Sequence, residues 1–141
     1  LDTFAGLDLT HLSREDREAG AVERNDYHLQ TGFYVQSVDT VRSNFSQWKN
    51  VRIIPGAVPD TVNQVQSQTI AYLHLDMNCA APEVAALDFL WHRLAPGAFV
   101  LSDDYAFPGA GAQKAALDAV AAAKGLRIAS LPTGQGLLIK P

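Results

Sequence analysis

Two apolar segments of the sequence end in carboxylates, and this pattern constrains the fold more than any other feature. Residues 69–76 ("TIAYLHLD") and 98–104 ("AFVLSDD") are nearly continuous in apolar residues up to the acids. Such runs are typical of parallel strands that are covered on both faces. Between them, residues 82–94 ("PEVAALDFLWHRL") place apolar residues on one helical face. The order strand, helix, strand predicts two parallel strands joined by a crossover helix.

Two earlier segments also carry a recognisable pattern. Residues 36–48 repeat apolar residues at three- and four-residue steps, which predicts an amphipathic helix with Ser37 as its N-cap. Residues 51–57 ("VRIIPGA") are rich in β-branched residues and predict a short strand that ends at Pro55 and Gly56.

The last part of the chain predicts a helix followed by a hairpin. Residues 111–125 form an alanine-rich helical pattern that ends at Gly125, a typical C-terminal glycine. The closing strands, 126–132 and 136–140, are too close in sequence for a parallel crossover, so we expect an antiparallel pair. The whole order predicts one α/β domain over residues 1–141, with a three-layer and mostly parallel sheet.

Composition narrows the functional classes. A chain of 141 residues with 48% hydrophobic and 18% charged residues is typical of one globular domain. The net charge of -4 and the lack of a basic run argue against nucleic acid as a partner. A single cysteine, Cys79, excludes an internal disulfide and favours a reducing, cytoplasmic location. No apolar stretch approaches the roughly 20 residues that cross a bilayer, and neither end is typical of a signal peptide.

Residues 8–30 are mostly polar, with charges of both signs and no clear period. They predict a long loop or a short helix at the surface. One interpretation is a solvated linker, and the other is a mobile lid over a site, because loops this long in a compact domain are often functional. His11 and His28 lie in this segment, and the sequence assigns neither of them a role.

Three acids follow the two predicted parallel strands. Asp76 ends the first strand, and Asp103 and Asp104 end the second. Ligands of open α/β sheets bind outside the carboxyl ends of the strands, so these acids are expected at a binding edge. Clustered carboxylates ionise together only beside a cation, and an all-oxygen set suits Mg²⁺. In the alternative interpretation, each acid caps a neighbouring helix or loop amide.

Two further residues near this edge carry chemistry. His74 lies two residues before Asp76 and therefore on the same face of the strand. A strand histidine is more often a core residue than a ligand or base, and both interpretations stay open. Cys79 is interpreted as a small buried residue, because no histidine-based nucleophile arrangement surrounds it.

Four segments together resemble the macrocin O-methyltransferase family. They are "LDTFAGL", "VRIIPGAVPDTV", residues 70–107 with their "LHLD" and "DDY" elements, and "TGQGLLIK". Members of this family are class I S-adenosylmethionine-dependent methyltransferases that act on sugar hydroxyls of natural products and polysaccharides. The resemblance implies a Rossmann-like, seven-stranded sheet whose last strand is antiparallel, in agreement with the predicted hairpin.

The resemblance also implies roles for individual residues. In the family, the aspartate after strand four and the pair after strand five hold a divalent metal beside the acceptor hydroxyl. The acid closing strand two meets the cofactor ribose, and the segment after strand three lies by the adenine. The matching positions are Asp76, Asp103 and Asp104 for the metal, Asp2 for the ribose, and Gly56 and Ala57 for the adenine. Residues 8–30 then correspond to the flap over cofactor and acceptor.

The sequence departs from the family pattern at two points. Asn78 stands where members often carry a second acid as general base. Three alternatives follow: the metal alone acidifies the acceptor hydroxyl, another group such as His74 or a lid histidine assists, or activity is reduced. The predicted catalytic residues are Asp76, Asp103 and His74. The glycine-rich turn after strand one, which holds the methionine end of the cofactor, is not among these residues. The resemblance therefore implies the C-terminal portion of a methyltransferase domain, N-terminally incomplete, that binds the cofactor poorly by itself.

The sequence thus predicts a metal-assisted, S-adenosylmethionine-dependent O-methyltransferase with a small-molecule hydroxyl acceptor, a sugar or a natural product. Its exposed lid and helix faces are compatible with a homodimer.

Two alternative functions stay open. A Mg²⁺-dependent hydrolase of the haloacid dehalogenase type also places an aspartate after an apolar strand and a later aspartate pair on the metal, although Asp76 lies mid-chain and Asn78 replaces its second acid. A non-catalytic scaffold with the same fold is the other.

Overall fold

The computed structural model describes all residues from 1 to 141. Its helices are α1 (Arg14–Glu18), α2 (Ala21–Thr31), α3 (Val38–Asn44), α4 (Ala80–Leu90) and α5 (Gly111–Ala123). Its strands are β1 (Ile70–Leu75), β2 (Leu94–Ser102), β3 (Ala129–Ser130) and β4 (Gly136–Ile139). Short 3₁₀ helices occupy Leu9–His11, Val62–Gln64 and Trp91–Arg93. None of the helices has the length and apolar character needed to cross a membrane.

The four strands form one mixed sheet in the order β1, β2, β4, β3. β1 and β2 are parallel, and β4 is antiparallel to both β2 and β3, so three strands share one direction and the predicted hairpin is confirmed. Leu75 pairs with Ser102 at the carboxyl ends of β1 and β2. The Asp103 N–H donates to the Leu75 carbonyl at 2.9 Å. This register places the acids after both strands at one edge.

Helices α4 and α5 cover one face of the sheet. Alternate strand residues point toward them, and Leu75, Val100 and Leu138 are each at most 3% exposed. The core cluster comprises Val58, Val62, Leu75, Ala86, Leu87, Leu90, Leu94, Ala98, Val100, Tyr105, Leu117, Ala121 and Leu138. The positions predicted for α4 and α5 are confirmed, because their periodic apolar residues all face this single core.

The opposite face of the sheet is open over these residues. Tyr72, Phe99 and Ile139 pair side by side across β1, β2 and β4. They are 55%, 48% and 51% exposed. The sequence predicted strands covered on both faces, but only one face is covered. The two helices that pack on the sheet, α4 and α5, both lie on that face.

The predicted strand over residues 51–57 does not form. Its backbone makes one parallel bridge, between Asp2 and Pro55. The Gly56 N–H donates to the Asp2 carbonyl at 2.8 Å, and the Asp2 N–H donates to the Ile54 carbonyl at 3.3 Å. A β-branched sequence becomes a strand only along a ladder of partners, and here the neighbouring segment supplies a single residue.

Residues 8–30 are largely helical and do not form a long loop. α1 begins with a capping box, in which the Ser13 hydroxyl accepts from the Asp16 N–H and the Asp16 carboxylate accepts from the Ser13 N–H. α3 is shorter than predicted, although Ser37 is its N-cap and accepts from the Thr40 N–H at 3.1 Å. Phe45 was predicted on the apolar face of the helix over residues 36–48. It lies just beyond the end of α3 and is 44% exposed.

Candidate active site

A cavity of about 900 Å³ lies against the carboxyl ends of β1 and β2. This volume falls in the range of small-molecule sites, which run from roughly 300 to 1,000 Å³. Six residues of the predicted site line it, namely Asp2, Gly56, Ala57, Asp76, Asp103 and Asp104. The structure therefore brings the predicted ribose, adenine and acid positions into a single cavity, although they are up to 102 positions apart in sequence.

The three aspartates interact electrostatically at the rim of this cavity. Partial burial raises the pKa of Asp76, and the neighbouring charge of Asp103 raises it further. Burial likewise raises the pKa of Asp104, with added contributions from Asp76 and Asp103. The charge of Asp103 thus disfavours ionisation of Asp76, and the charges of Asp76 and Asp103 disfavour ionisation of Asp104, as expected for like charges at one site.

Asp103 is held by two side chains outside the cavity lining. Its Oδ1 accepts from Gln135 Nε2 at 2.7 Å, and His74 Nε2 lies 3.4 Å from the same oxygen. The His74 side chain is 41% exposed on the open face of the sheet, so its interpretation as a core histidine is wrong. Its placement beside Asp103 leaves a role in proton transfer as a prediction.

The acids as placed do not form a metal site. No group of three or more His, Cys, Asp or Glu side chains is arranged to hold an ion. The Asp103 oxygen that accepts from Gln135 is already engaged. The three acids share an edge and an electrostatic field. Carboxylates are the ligands that Mg²⁺ takes, and a Mg²⁺ site at this edge stays a prediction.

The predicted cofactor residues also line the cavity. The Asp2 carboxylate accepts from the Phe4 N–H at 2.6 Å, which fixes its direction within the first turn. Gly56 has a φ of +130°, and a Cβ there would meet Thr61 Cγ2 at 2.5 Å. Only glycine fits this position, and Gly56 lines the cavity together with Ala57.

Helix α2 and the loop after it cover the cavity with aromatic residues. His28 packs its ring against those of Phe33 and Tyr34, with centroids 4.6 and 5.0 Å away. The buried His28 Nδ1 atom has no hydrogen-bond partner. Burial raises the pKa of the Tyr34 phenol, and the charges of Asp76 and Asp104 raise it further. Sequence analysis missed Tyr34, although the segment "YHLQTGFY" signals an aromatic group within a polar stretch.

Sequence analysis also missed Glu83, a fully buried acid in the first turn of α4. Burial raises the pKa of its carboxyl to about 7. A signal was available, because Glu83 lies four residues before Leu87 and seven before Leu90, on the helical face that packs into the core.

Asn78 and Cys79 follow Asp76 in the turn before α4, and neither supplies a reactive group to the site. Cys79 is 2% exposed and packs with Leu12 and Ala21, as predicted for a small buried residue. Burial raises the pKa of its thiol to about 12, which removes it as a nucleophile near neutral pH. Asn78 has a φ of +56°, and its Nδ2 lies 3.4 Å from Asp76 Oδ1.

Comparisons with known proteins agree on the family. The profile of the macrocin O-methyltransferase (TylF) family matches residues 1–127. The chain is 33% identical over 110 residues to the 8-demethyl-8-(2,3-dimethoxy-alpha-L-rhamnosyl)-tetracenomycin-C 4'-O-methyltransferase of Streptomyces olivaceus, covering 74% of this chain and 40% of that protein. It is also 33% identical over 76 residues to the mycinamicin III 3''-O-methyltransferase of Micromonospora griseorubida, covering 51% of this chain and 30% of that protein.

A solved structure matches the fold. The O-methyltransferase NovP superposes with a TM-score of 0.78 at 21% identity, over 99% of this chain and 57% of that chain. The chain therefore spans well under half the length of the curated relatives and somewhat over half of the solved one. The strand order, the acid-lined cavity at the strand ends and the match over residues 1–127 lead to one conclusion: this chain belongs to the macrocin O-methyltransferase family.

Proposed function

We propose that this chain is part of an S-adenosylmethionine-dependent O-methyltransferase that acts on a hydroxyl of a sugar or a natural product, and that it contributes residues to both the acceptor site and the adenosine end of the cofactor site. The observation that carries the proposal is the shared cavity, in which Asp76 and Asp104 lie with Asp2, Gly56 and Ala57. The family match supports the reaction class, and the two curated relatives, both named for methylation of glycosylated natural products, support the class of acceptor.

The residues present fit an adenosine group. A carboxylate such as that of Asp2 is the usual partner of a ribose hydroxyl. The glycine-bordered edge at 56–57 and the buried Val58 offer an apolar surface to a base. When bound, S-adenosylmethionine supplies an electrophilic methyl group on its sulfonium. The chain's own part is then to orient the acceptor hydroxyl and to accept its proton.

Asp76 is the residue to which we assign proton removal. Its pKa is raised by burial and by neighbouring charges, which makes its carboxylate a stronger base than an ordinary aspartate. The charge of Asp103 acts on Asp76, and His74 Nε2 lies 3.4 Å from Asp103 Oδ1, so these two residues offer the next position for the proton. The aromatic residues above the cavity, His28, Phe33 and Tyr34, exclude water and contact the acceptor ring.

The test is methyl transfer by the full-length protein, with methyl-labelled S-adenosylmethionine and a panel of deoxysugar-bearing polyketides and macrolides. Asp76→Asn is expected to lower kcat by about 10²- to 10⁴-fold, the range for loss of a general base. Asp60→Asn removes an exposed acid that does not line the cavity, and it should leave kcat unchanged. Equal rates for Asp76→Asn and the unaltered protein would remove Asp76 from the scheme.

Two further measurements separate the remaining alternatives. A flat calorimetric titration with S-adenosylmethionine would favour the non-catalytic scaffold, whereas the family match already disfavours the hydrolase. Chelation with EDTA examines the Mg²⁺ prediction. Turnover that is lost with EDTA and restored by Mg²⁺ would support the predicted metal role of Asp76, Asp103 and Asp104, whereas unchanged turnover would remove the metal from the scheme.

A further inference from the structure

A buried carboxyl group joins the two strand ends that carry the site acids. Glu83 is 0% exposed, and one of its oxygens, Oε1, accepts from the Met77 N–H at 3.2 Å and from Gln113 Nε2 at 3.0 Å. Its other oxygen, Oε2, lies 3.4 Å from the Ser102 hydroxyl. Met77 directly follows Asp76, and Ser102 directly precedes Asp103. Glu83 therefore contacts the chain next to both groups of acids.

The position of Glu83 within α4 calls for a physical account. An acid on the core-facing side of a helix is costly to bury unless its oxygens are satisfied by hydrogen bonds. No cation pairs with it among its contacts, and the neighbouring charges of Asp104 and Asp76 oppose its ionisation. A leucine at this position would continue the apolar face that Leu87 and Leu90 begin. The cost of burying Glu83 is therefore offset by what it stabilises, namely the positions of Met77, Ser102 and Gln113.

The turn after β1 depends on such a side-chain acceptor. Asn78 adopts a left-handed φ of +56°, which turns the chain sharply between Asp76 and α4. The Met77 N–H points into the protein at this turn and has the Glu83 carboxyl as its acceptor. A buried N–H without an acceptor is rare and unfavourable, so loss of this bond would release the turn.

We propose that Glu83 is a positioning residue, which holds the turn after β1 against the end of β2 and α5 so that Asp76 and Asp103 meet the acceptor hydroxyl together. The hydrogen bonds of Glu83 to the Met77 N–H, Gln113 and Ser102 are called the clamp below. The clamp can be tested by itself, whereas its effect on catalysis rests on the proposed function. Asp76 and Asp103 remain the groups that contact the reactants, and Glu83 acts through them.

The variants are chosen to separate hydrogen bonding from packing. Glu83→Met keeps the length of the side chain and removes both oxygens. Glu83→Gln retains Oε1 as the acceptor for the Met77 N–H and for Gln113 Nε2, and its new amide group can donate to the Ser102 hydroxyl. Leu90→Ala is the matched control, because it truncates a buried residue at the opposite end of the same helix, α4, and leaves the Glu83 hydrogen bonds in place.

Amide hydrogen exchange at Met77 measures the clamp directly. Glu83→Met is expected to accelerate exchange at this amide by at least about tenfold relative to amides in β4, while Glu83→Gln and Leu90→Ala leave the ratio unchanged. Unchanged protection of Met77 in Glu83→Met would overturn the proposal, since the amide would then have found its acceptor elsewhere.

Kinetics of the full-length protein measure the consequence for catalysis. Glu83→Met should lower kcat by on the order of 10- to 100-fold, because displacement of a reacting group by about 1 Å costs this much. The KM for S-adenosylmethionine should stay within about threefold, since Asp2 and Gly56 are untouched. Glu83→Gln should have the kcat of the unaltered protein. Leu90→Ala should have the same kcat once the rate is divided by the fraction of molecules that are folded. A kcat retained in Glu83→Met despite a freed Met77 amide would overturn the positioning role.

The two claims fail separately. If the unaltered full-length protein binds no S-adenosylmethionine and transfers no methyl group, the proposed function is wrong, and the exchange rate at Met77 still decides the clamp. If the unaltered protein is active and Glu83→Met matches it in both measurements, the clamp is wrong and the proposed function stands.

Discussion

The N-terminal region (residues 1–57) and the sheet region (residues 70–141) are stabilised in different ways. The sheet region holds nearly all of the 13-residue core cluster, with strands in register and two packed helices. The N-terminal region has a cluster of three buried residues, Leu12, Ala21 and Cys79, of which the last belongs to the turn after β1. Its elements are otherwise tied together by polar contacts, such as the Leu7 N–H donating to Asn25 Oδ1 at 2.8 Å.

The difference explains how the candidate site is divided. The acids follow strands of the well-packed region, whereas the aromatic cover comes from the region with little buried apolar surface. Regions with few buried contacts open at low free-energy cost, and lids are drawn from them. This difference predicts that Asp76 and Asp103 stay fixed while α2 and its following loop move over a ligand.

The largest expected effect on stability comes from the core of the sheet region. Leu138→Ala removes a side chain that is 2% exposed within the main cluster, and we expect it to lower the free energy of unfolding by about 3 to 5 kcal/mol. Leu12→Ala truncates a residue of the small cluster, which has fewer apolar neighbours, and should cost about 1 to 2 kcal/mol. Urea denaturation followed by circular dichroism measures both. Equal losses would contradict the division into a packed and a loosely packed region.

The second prediction concerns the pH dependence of stability in the sheet region. Burial raises the pKa of Glu83 from 4.5 to about 7, so the folded state retains this proton where the unfolded state has lost it. The free energy of unfolding should therefore fall by about 3 kcal/mol as pH rises from about 4.5 to about 7, and this contribution should level off above that.

The control for this pH effect is Glu83→Gln, which removes the titrating group. The groups that face Glu83 are Asp76 and Asp104 at the strand ends, the Cys79 thiol, and the uncharged Gln113 of α5. The pKa values of Asp76 and Asp104 are also raised, so part of the slope should survive in the variant. An identical pH profile for the variant and the unaltered protein would show that Glu83 does not titrate in this window.

A third prediction compares two glycines of the N-terminal region. Gly6 and Gly32 have φ values of +77° and +70°, so an alanine at either position is strained. A Cβ at Gly6 would also collide with Asn25 Oδ1, whereas nothing lies within 4 Å of a Cβ at Gly32. Gly6→Ala should lower the free energy of unfolding by about 2 kcal/mol and Gly32→Ala by about 1 kcal/mol. The reverse order would mean that the Asn25 contact does not hold α2 to the first turn.

The smallest effect is expected at the start of α1. Ser13→Ala removes one half of the capping box and should cost about 1 kcal/mol. Because α1 belongs to the loosely packed region, the change should be seen first as faster limited proteolysis near α1, with the thermal midpoint of the sheet region nearly unchanged. Ser67→Ala, at an exposed serine outside the helices and strands, is the control. Equal proteolysis of the two variants would argue against the capping box as a local support.

Sequence reasoning predicted the structure correctly where the apolar residues of a segment recur at a single regular spacing. The apolar runs of β1 and β2, the helical faces of α4 and α5 and the closing hairpin were all predicted, because each pattern reflects burial in one core. For residues 8–30 it left a long loop and a short helix as alternatives, because the helices that form there are held by caps and polar contacts that leave no apolar period. It failed for 51–57, whose strand-like sequence has a single pairing partner, Asp2.

By itself the sequence determined that three acids follow two neighbouring parallel strands, and hence that they share one edge of the sheet. Only the tertiary structure decided where their side chains point and what holds them. Asp103 is engaged by Gln135, which is 32 positions away, and the turn after Asp76 is held by a glutamate buried inside α4. The physical reason is that strand position follows from local hydrophobic periodicity, whereas hydrogen-bond partners are chosen among groups that only the folded chain brings within 3 to 3.5 Å of one another.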